Sequence, residues 1–271
     1  MADTPEVADH YGAQYRDFAA EVYADFRRAA FGQDVGQNSW LTADQLERFA
    51  AQLQLGSSSR LLDVGCGSGG PVLHLARLTG CRVVGVELDE SAVASARRTA
   101  SQAGLEDRAT FVQADAGETL PFEQGGFDAI ICIDAINHLP DRERVLADWA
   151  RLLRPGGRLA FTDPVIITGI LDSNELAVRT SIGYFLFVPQ GENERLLIAS
   201  GLNVLAVEDK TSDLAVVARR RCDARADRAP ALRQIEGDQT FQGRQRFFDM
   251  VATLAAERRL GRFAYLAERP V

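Results

Sequence analysis

Residues 61–70 read LLDVGCGSGG, an apolar run that reaches an acidic residue and then a glycine-rich turn opening a helix. Gly65, Gly67 and Gly69 let the backbone bend sharply and let a ligand lie against bare main chain, where a side chain would collide. A dinucleotide fingerprint is spaced G-x-G-x-x-G and seats a pyrophosphate on the helix N-terminus. Here the spacing is G-x-G-x-G, and Asp63 stands two residues ahead of the first glycine. A carboxylate at that point opposes a pyrophosphate and suits an ammonium group. The expected ligand is a nucleoside joined to an amino acid.

Outward from this turn, short apolar runs alternate with helical stretches. Strands are expected at 60–64, 82–87, 109–113, 129–133 and 158–162, with helices at 70–79, 91–103 and 142–153 between them. The strands are apolar throughout and do not alternate with polar residues, the pattern of a parallel sheet covered on both faces. Ahead of them, Tyr11, Tyr15, Phe18 and Val22 form one apolar stripe on a helix spanning 11–31. A loop at 32–40 leads to a second helix at 43–54, capped by Thr42 through Gln45.

Between 164 and 202 the β-α rhythm breaks, and Tyr184, Phe185 and Phe187 fall in an insertion that reads as a lid. A strand at 203–208, helices at 213–233 and 241–259, and a last strand at 262–267 complete the chain. The expected fold class is α/β, a doubly wound, mostly parallel seven-stranded sheet with a helical N-terminal segment and a cap insertion. The divisions are an N-terminal helical cap (1–55), a ligand-binding core (56–163), a lid (164–202) and a C-terminal completion of the sheet (203–271).

Composition narrows the partners. The net charge of −8 repels polyphosphate and excludes an extended nucleic-acid footprint. Cys66, Cys81, Cys132 and Cys222 lie far apart, with no C-x-x-C pair and no histidine at ligand spacing, so no metal site is expected. No apolar run approaches the roughly 20 residues a membrane span needs, and no secretory signal is visible. The expected location is the cytoplasm, where thiols stay reduced.

Taken with its surroundings, the glycine turn resembles the class I S-adenosylmethionine-dependent methyltransferases, tightly over 60–163 and more loosely on either side. The likeness is to the small-molecule branch, the sarcosine, tocopherol and sugar O-methyltransferase-like enzymes. It implies a Rossmann-like core with S-adenosyl-L-methionine as cofactor. Asp63, Gly65, Gly67 and Gly69 would then touch its methionine part, and Glu87, at the end of the second strand, both ribose hydroxyls. Leu88 would pack on the adenine, Asp115 would accept from its exocyclic amine beside Ala116, and Ile133 and Tyr11 would complete the cofactor contacts.

The same resemblance points to His138, after the fourth strand, and Asp163, ending the fifth, as catalytic groups that orient or deprotonate an acceptor in the crevice at the strand ends. The Asn-Pro-Pro-aromatic or Asp-Pro-Pro-aromatic signature of base and glutamine methylation is absent; residues 134–137 read DAIN. The Arg219, Arg220 and Arg221 run could face an anionic group, but the interleaved Asp223 and Asp227 favour a solvated helix face. The implied activity is methyl transfer to an N, O or C atom of a small metabolite or natural product. The alternative is a non-methylating step such as cyclisation on the same fold. A homodimer is compatible with the sequence, which leaves the oligomeric state open.

Overall fold

The computed structural model describes residues 20–271. The first expected helix is present over its described part, α1 (Glu21–Phe31), which stops where Gly32 turns left-handed at φ 80°. Tyr11, Tyr15 and Phe18 lie outside the described residues. Helix α2 (Ala43–Gln52) begins as the sequence indicates, with the Thr42 hydroxyl accepting from the Gln45 amide at 3.4 Å.

The core then alternates β1 (Arg60–Val64), α3 (Gly70–Thr79), β2 (Arg82–Glu87), α4 (Glu90–Gln102), β3 (Ala109–Gln113), β4 (Phe127–Ile133), α5 (Arg142–Leu152) and β5 (Leu153–Ile167). The segment 164–202, expected to form a lid, holds α6 (Ser173–Arg179), a two-residue β6 (Val188–Pro189) and α7 (Glu192–Ala199). Beyond it come β7 (Asn203–Asp209), α8 (Thr211–Ala226), α9 (Ala229–Glu236), α10 (Asp238–Ala256) and β8 (Leu260–Glu268). None of the described helices is long and apolar enough to cross a membrane.

Seven strands run in the order β3-β2-β1-β4-β5-β8-β7, and β6 pairs beside the end of β5, which makes the sheet eight-stranded. Only β8 runs antiparallel to its neighbours. The order reverses between β1 and β4, and the crevice at such a switch point is where open α/β sheets bind ligands. Successive residues of one strand serve opposite faces: Leu61, Val83 and Ile131 pack with Leu46, Phe49 and Leu75, whereas Leu62, Val64 and Ile130 pack with Leu146 and Trp149. Both faces are therefore dry, and that is why these strands carry unbroken apolar runs.

Two expectations need correction. The fifth strand is much longer than 158–162, because β8 and β6 pair with it as far as Ile167. The helix expected over 213–233 is two helices, parted at Asp227 and Arg228. Pro230 stands in the first turn of α9, where its missing N–H and fixed φ are tolerated; inside a continuous helix it would break a hydrogen bond. A third cluster, with Tyr23, Phe26, Trp40, Leu214, Phe247 and Phe248, ties α1 to α8 and α10.

Candidate functional site

A cavity of about 870 Å³ opens at the C-terminal ends of β1 to β4 and reaches the aromatic cluster of α1, α8 and α10. That size lies near the top of the ~300–1,000 Å³ range of ligand pockets. The glycine turn forms its floor. Gly65 sits at φ 74°, and a Cβ there would come within 2.6 Å of the Ala135 Cβ. At Gly70 a Cβ would meet the Val35 carbonyl oxygen at 2.3 Å, so the loop after α1 rests directly on the start of α3.

Asp63, in register with Gly85 and Ile131, lines the cavity with 5% of its surface exposed. Burial, and then the neighbouring Glu87, push its carboxyl up to about 7. An arriving ammonium would restore the charged form. Glu87 braces the turn: one oxygen accepts from the Gly67 amide at 2.9 Å, the other from Leu88 at 2.8 Å and Asp89 at 3.1 Å. Leu88 is 63% exposed, an apolar face open at the cavity rim. Asp115 accepts from the Gly117 amide at 2.7 Å.

Of the residues expected at the cofactor, Asp63, Gly65, Gly67, Glu87, Leu88, Asp115, Ala116 and Ile133 line this one cavity. Gly69 is not among them; it is the left-handed N-cap of α3, at φ 76°. Tyr11 lies outside the described residues. The cradle suits S-adenosylmethionine: a carboxylate beside a bend that side chains cannot fill, then two acids at successive strand ends flanking an exposed apolar residue.

His138 ends a 3₁₀ turn (Ile136–His138) directly after β4 and also faces the cavity. Its Nδ1 lies 2.7 Å from the Tyr184 carbonyl, which can only accept, so the ring proton sits on Nδ1. Nε2 keeps its lone pair, 3.1 Å from the Asn137 amide nitrogen. Burial leads the effects that lower the ring's pKa below its usual value, which keeps the imidazole neutral at pH 7.

Asp163 does not project into this crevice. Because β5 continues past it, the side chain is fully buried, ion-paired to Arg142 and accepting from Asn193 at 3.0 Å. Arg142 in turn donates to the Leu186 carbonyl at 2.8 Å, and the Leu186 amide donates to the Asn137 carbonyl at 2.8 Å. Asp163, through Arg142, thus fastens Leu186 and Asn193 beside the turn that carries His138.

One residue of the site went unread in the sequence, and another was placed on the wrong face. Asp134, at φ 51°, accepts from the Trp40 amide at 2.8 Å, the Thr162 hydroxyl at 2.7 Å and Arg262 at 2.7 and 3.1 Å. Arg262 also reaches Gln45 at 3.2 Å, so one carboxylate ties β4, β8, α2 and the loop after α1. An acid closing an apolar strand at the switch point was the available signal. Arg219 and Arg220 are exposed as expected, but Arg221 is buried at 4% exposure and lines the cavity, a correction to the solvated face. The rings of Phe248, Trp40, Phe31 and Phe26 stand 4.4 to 5.8 Å from its guanidinium carbon.

Known proteins share this fold and parts of this sequence. Residues 62–161 match a family model described as a methyltransferase domain. The chain is 31% identical to the 27-O-demethylrifamycin SV methyltransferase of Amycolatopsis mediterranei, over 70% of this chain and 74% of that protein. It is 40% identical to the sarcosine/dimethylglycine N-methyltransferase of Halorhodospira halochloris, over 59% of this chain and 57% of that one. Among solved structures, the [4+2]-cyclase SpnF superposes with a TM-score of 0.73 at 25% identity, over 89% of this chain and 86% of that chain. The glycine turn, the strand-end acids and the switch-point cavity thus sit in a chain that belongs to the methyltransferase-domain family, the class I S-adenosylmethionine-dependent enzymes acting on small molecules.

Proposed function

We propose that the chain methylates an N, O or C atom of a small natural-product-like acceptor held against His138, with the cofactor lying over the glycine turn. The observation that carries this reading is the continuity of the cavity, from Asp63, Glu87 and Asp115 at one end to His138, Phe185 and Phe247 at the other. When bound, S-adenosylmethionine supplies an electrophilic methyl group on a sulfonium. Asp63 would hold its ammonium group, Glu87 its ribose hydroxyls and Asp115 its adenine amine. His138 Nε2, whose lone pair the tautomer leaves available, would exchange the Asn137 amide for an acceptor N–H or O–H and take that proton. Trp40, Phe185 and Phe247 would exclude water and hold the acceptor close, which favours displacement.

The relatives support this assignment by their names, one an O-methylating enzyme and one an N-methylating enzyme. The loop after α1 and the segment 164–202 would close over the cavity. The four cysteines are free and buried, which suits the cytoplasm.

Likeness to a [4+2]-cyclase favours a second reading, in which the cofactor is bound and no methyl group moves. Incubation with S-adenosylmethionine and a panel of hydroxylated, amine and carbon-acid acceptors separates the two. Methylation predicts stoichiometric S-adenosylhomocysteine; a converted acceptor with none would establish the second reading.

A further inference from the structure

The groups that meet the His138 ring are themselves fixed from a distance. Tyr184, whose carbonyl takes the Nδ1 proton at 2.7 Å, belongs to residues 180–187, which form neither helix nor strand between α6 and β6. Irregular backbone keeps a set direction only where partners outside it satisfy its polar groups. Here the partners meet at Leu186, whose amide donates to the Asn137 carbonyl at 2.8 Å and whose carbonyl accepts from Arg142 Nη2 at 2.8 Å. The Asn137 side-chain amide in turn stands 3.1 Å from His138 Nε2. Each ring nitrogen therefore faces a group that Leu186 anchors, one on its own segment and one across its amide.

Arg142 opens α5 and is buried at 3% exposure. Its Nη1 pairs with Asp163 and donates to Asn193 Oδ1 at 2.8 Å, while Asn193 Nδ2 donates to Asp163 at 3.0 Å, which closes a triangle of buried polar groups. The other Asp163 oxygen accepts from the Val165 amide at 3.2 Å, within β5. The guanidinium is thus tied to the sheet on one side and presents Nη2 to the irregular segment on the other.

A buried ion pair gives little net stability, and apolar side chains of similar volume commonly fill such a space as well or better. What the charges add is direction. A planar fork held at one nitrogen sets the line along which the carbonyl at the other must lie.

We infer that Arg142 is a positioning residue for His138: through Leu186 it holds the Tyr184 carbonyl and the Asn137 amide on the imidazole, and so keeps the ring proton on Nδ1 and the lone pair on Nε2. Asp163 acts at one further remove, by orienting Arg142. The inference rests on the reading of His138 as the base, which requires that form of the ring.

The chain has three histidines, His10, His74 and His138, so in protein labelled with nitrogen-15 histidine the signals lost in His138→Gln identify the ring. At pH 8 its lowered pKa leaves it neutral, and two-bond proton–nitrogen spectra of the ligand-free full chain give the ratio of Nδ1–H to Nε2–H forms. The wild-type ring is expected to be mainly Nδ1–H. The double variant Arg142→Met with Asp163→Asn leaves no buried charge unpaired and should lower that ratio about fivefold or more, the worth of one net hydrogen bond. Arg142→Lys keeps the charge but cannot span Asp163 and the Leu186 carbonyl as the fork does; it should also lower the ratio, and it serves if the double variant does not fold. Arg259→Ala frees the far end of the same segment from Glu175, now bonded at 2.6 and 2.7 Å, and should cost stability with the ring unchanged. A wild-type ring protonated on Nε2, an unchanged ratio in either folded Arg142 variant, or an equal fall in Arg259→Ala would overturn the inference. The ring is read without cofactor or acceptor, so full methylation by His138→Gln would sink the base reading alone and leave the positioning intact.

Discussion

Cofactor affinity is expected to fall as pH drops below 7, because the site must release a proton to receive an ammonium group. The perturbation is pH, read against Asp63→Asn. Burial and Glu87 hold the empty protein's Asp63 carboxyl at about 7, against 3.8 ordinarily. If only the carboxylate accepts the ammonium, the apparent dissociation constant scales as 1 + 10^(pKa − pH), so binding is about fivefold weaker at pH 6 than at pH 7 and about tenfold weaker again at pH 5. Calorimetry with S-adenosylhomocysteine in buffers of different ionisation enthalpy should show about 0.9 proton released per site at pH 6. The same raised pKa acts against the empty fold. Between about pH 4 and pH 7 the folded state binds more protons than the unfolded state, so the stability contributed by this residue falls as pH rises through that window. Asp63→Asn should therefore stabilise the ligand-free protein at pH 8, by up to about 4 kcal/mol, while weakening cofactor binding and flattening its pH dependence. Affinity that stays level from pH 7 to pH 5, or binding accompanied by proton uptake at pH 6, would refute the reasoning.

Replacing His138 by alanine should lower kcat by about 10²- to 10⁴-fold for an oxygen or nitrogen acceptor while KM changes little, as single-turnover kinetics will show. Because the ring's pKa is lowered, wild-type turnover should persist below pH 6.5 and decline only as the imidazole protonates. Asp163→Asn leaves Arg142 buried without its counter-charge and should cost about 3–5 kcal/mol in chemical denaturation. Hydrogen exchange in residues 184–189 should rise with it, and a stable variant with an unchanged lid would contradict the fastening role. Gly65→Ala should abolish cofactor binding, since its Cβ meets Ala135 at 2.6 Å. Gly104→Ala shares the positive φ but meets nothing within 4 Å, so it should lose only about 1 kcal/mol, visible in thermal melts.

What the sequence discloses follows from where the relevant forces act. The strands around the glycine turn are legible because both sheet faces are dry, and Asp63, Glu87 and Asp115 because each lies within a residue or two of a strand end. Arg221 is illegible locally: Asp223 and Asp227, with Arg219 and Arg220 beside it, predict solvent, whereas its rings arrive from Phe26, Phe31, Trp40 and Phe248. Asp163 reads as a strand terminus until β8 and β6 lengthen the strand and bury it. The partners of Asp134 lie at positions 40, 162 and 262, and no window of sequence holds all of them.

The carboxylate of Asp134 has a bearing on how such a chain could be re-engineered. The residues proposed to hold the cofactor come from the middle of the polypeptide, whereas the opposite wall of the cavity draws on α1, α8 and α10, near its two ends. Exchanging those helices for another family member's would transplant selectivity and leave the nucleoside cradle intact, provided Gln45 and Arg262 travel with a matching acid after β4. A graft that ignores that rivet should still fold its sheet, yet present a cavity whose halves no longer meet in register.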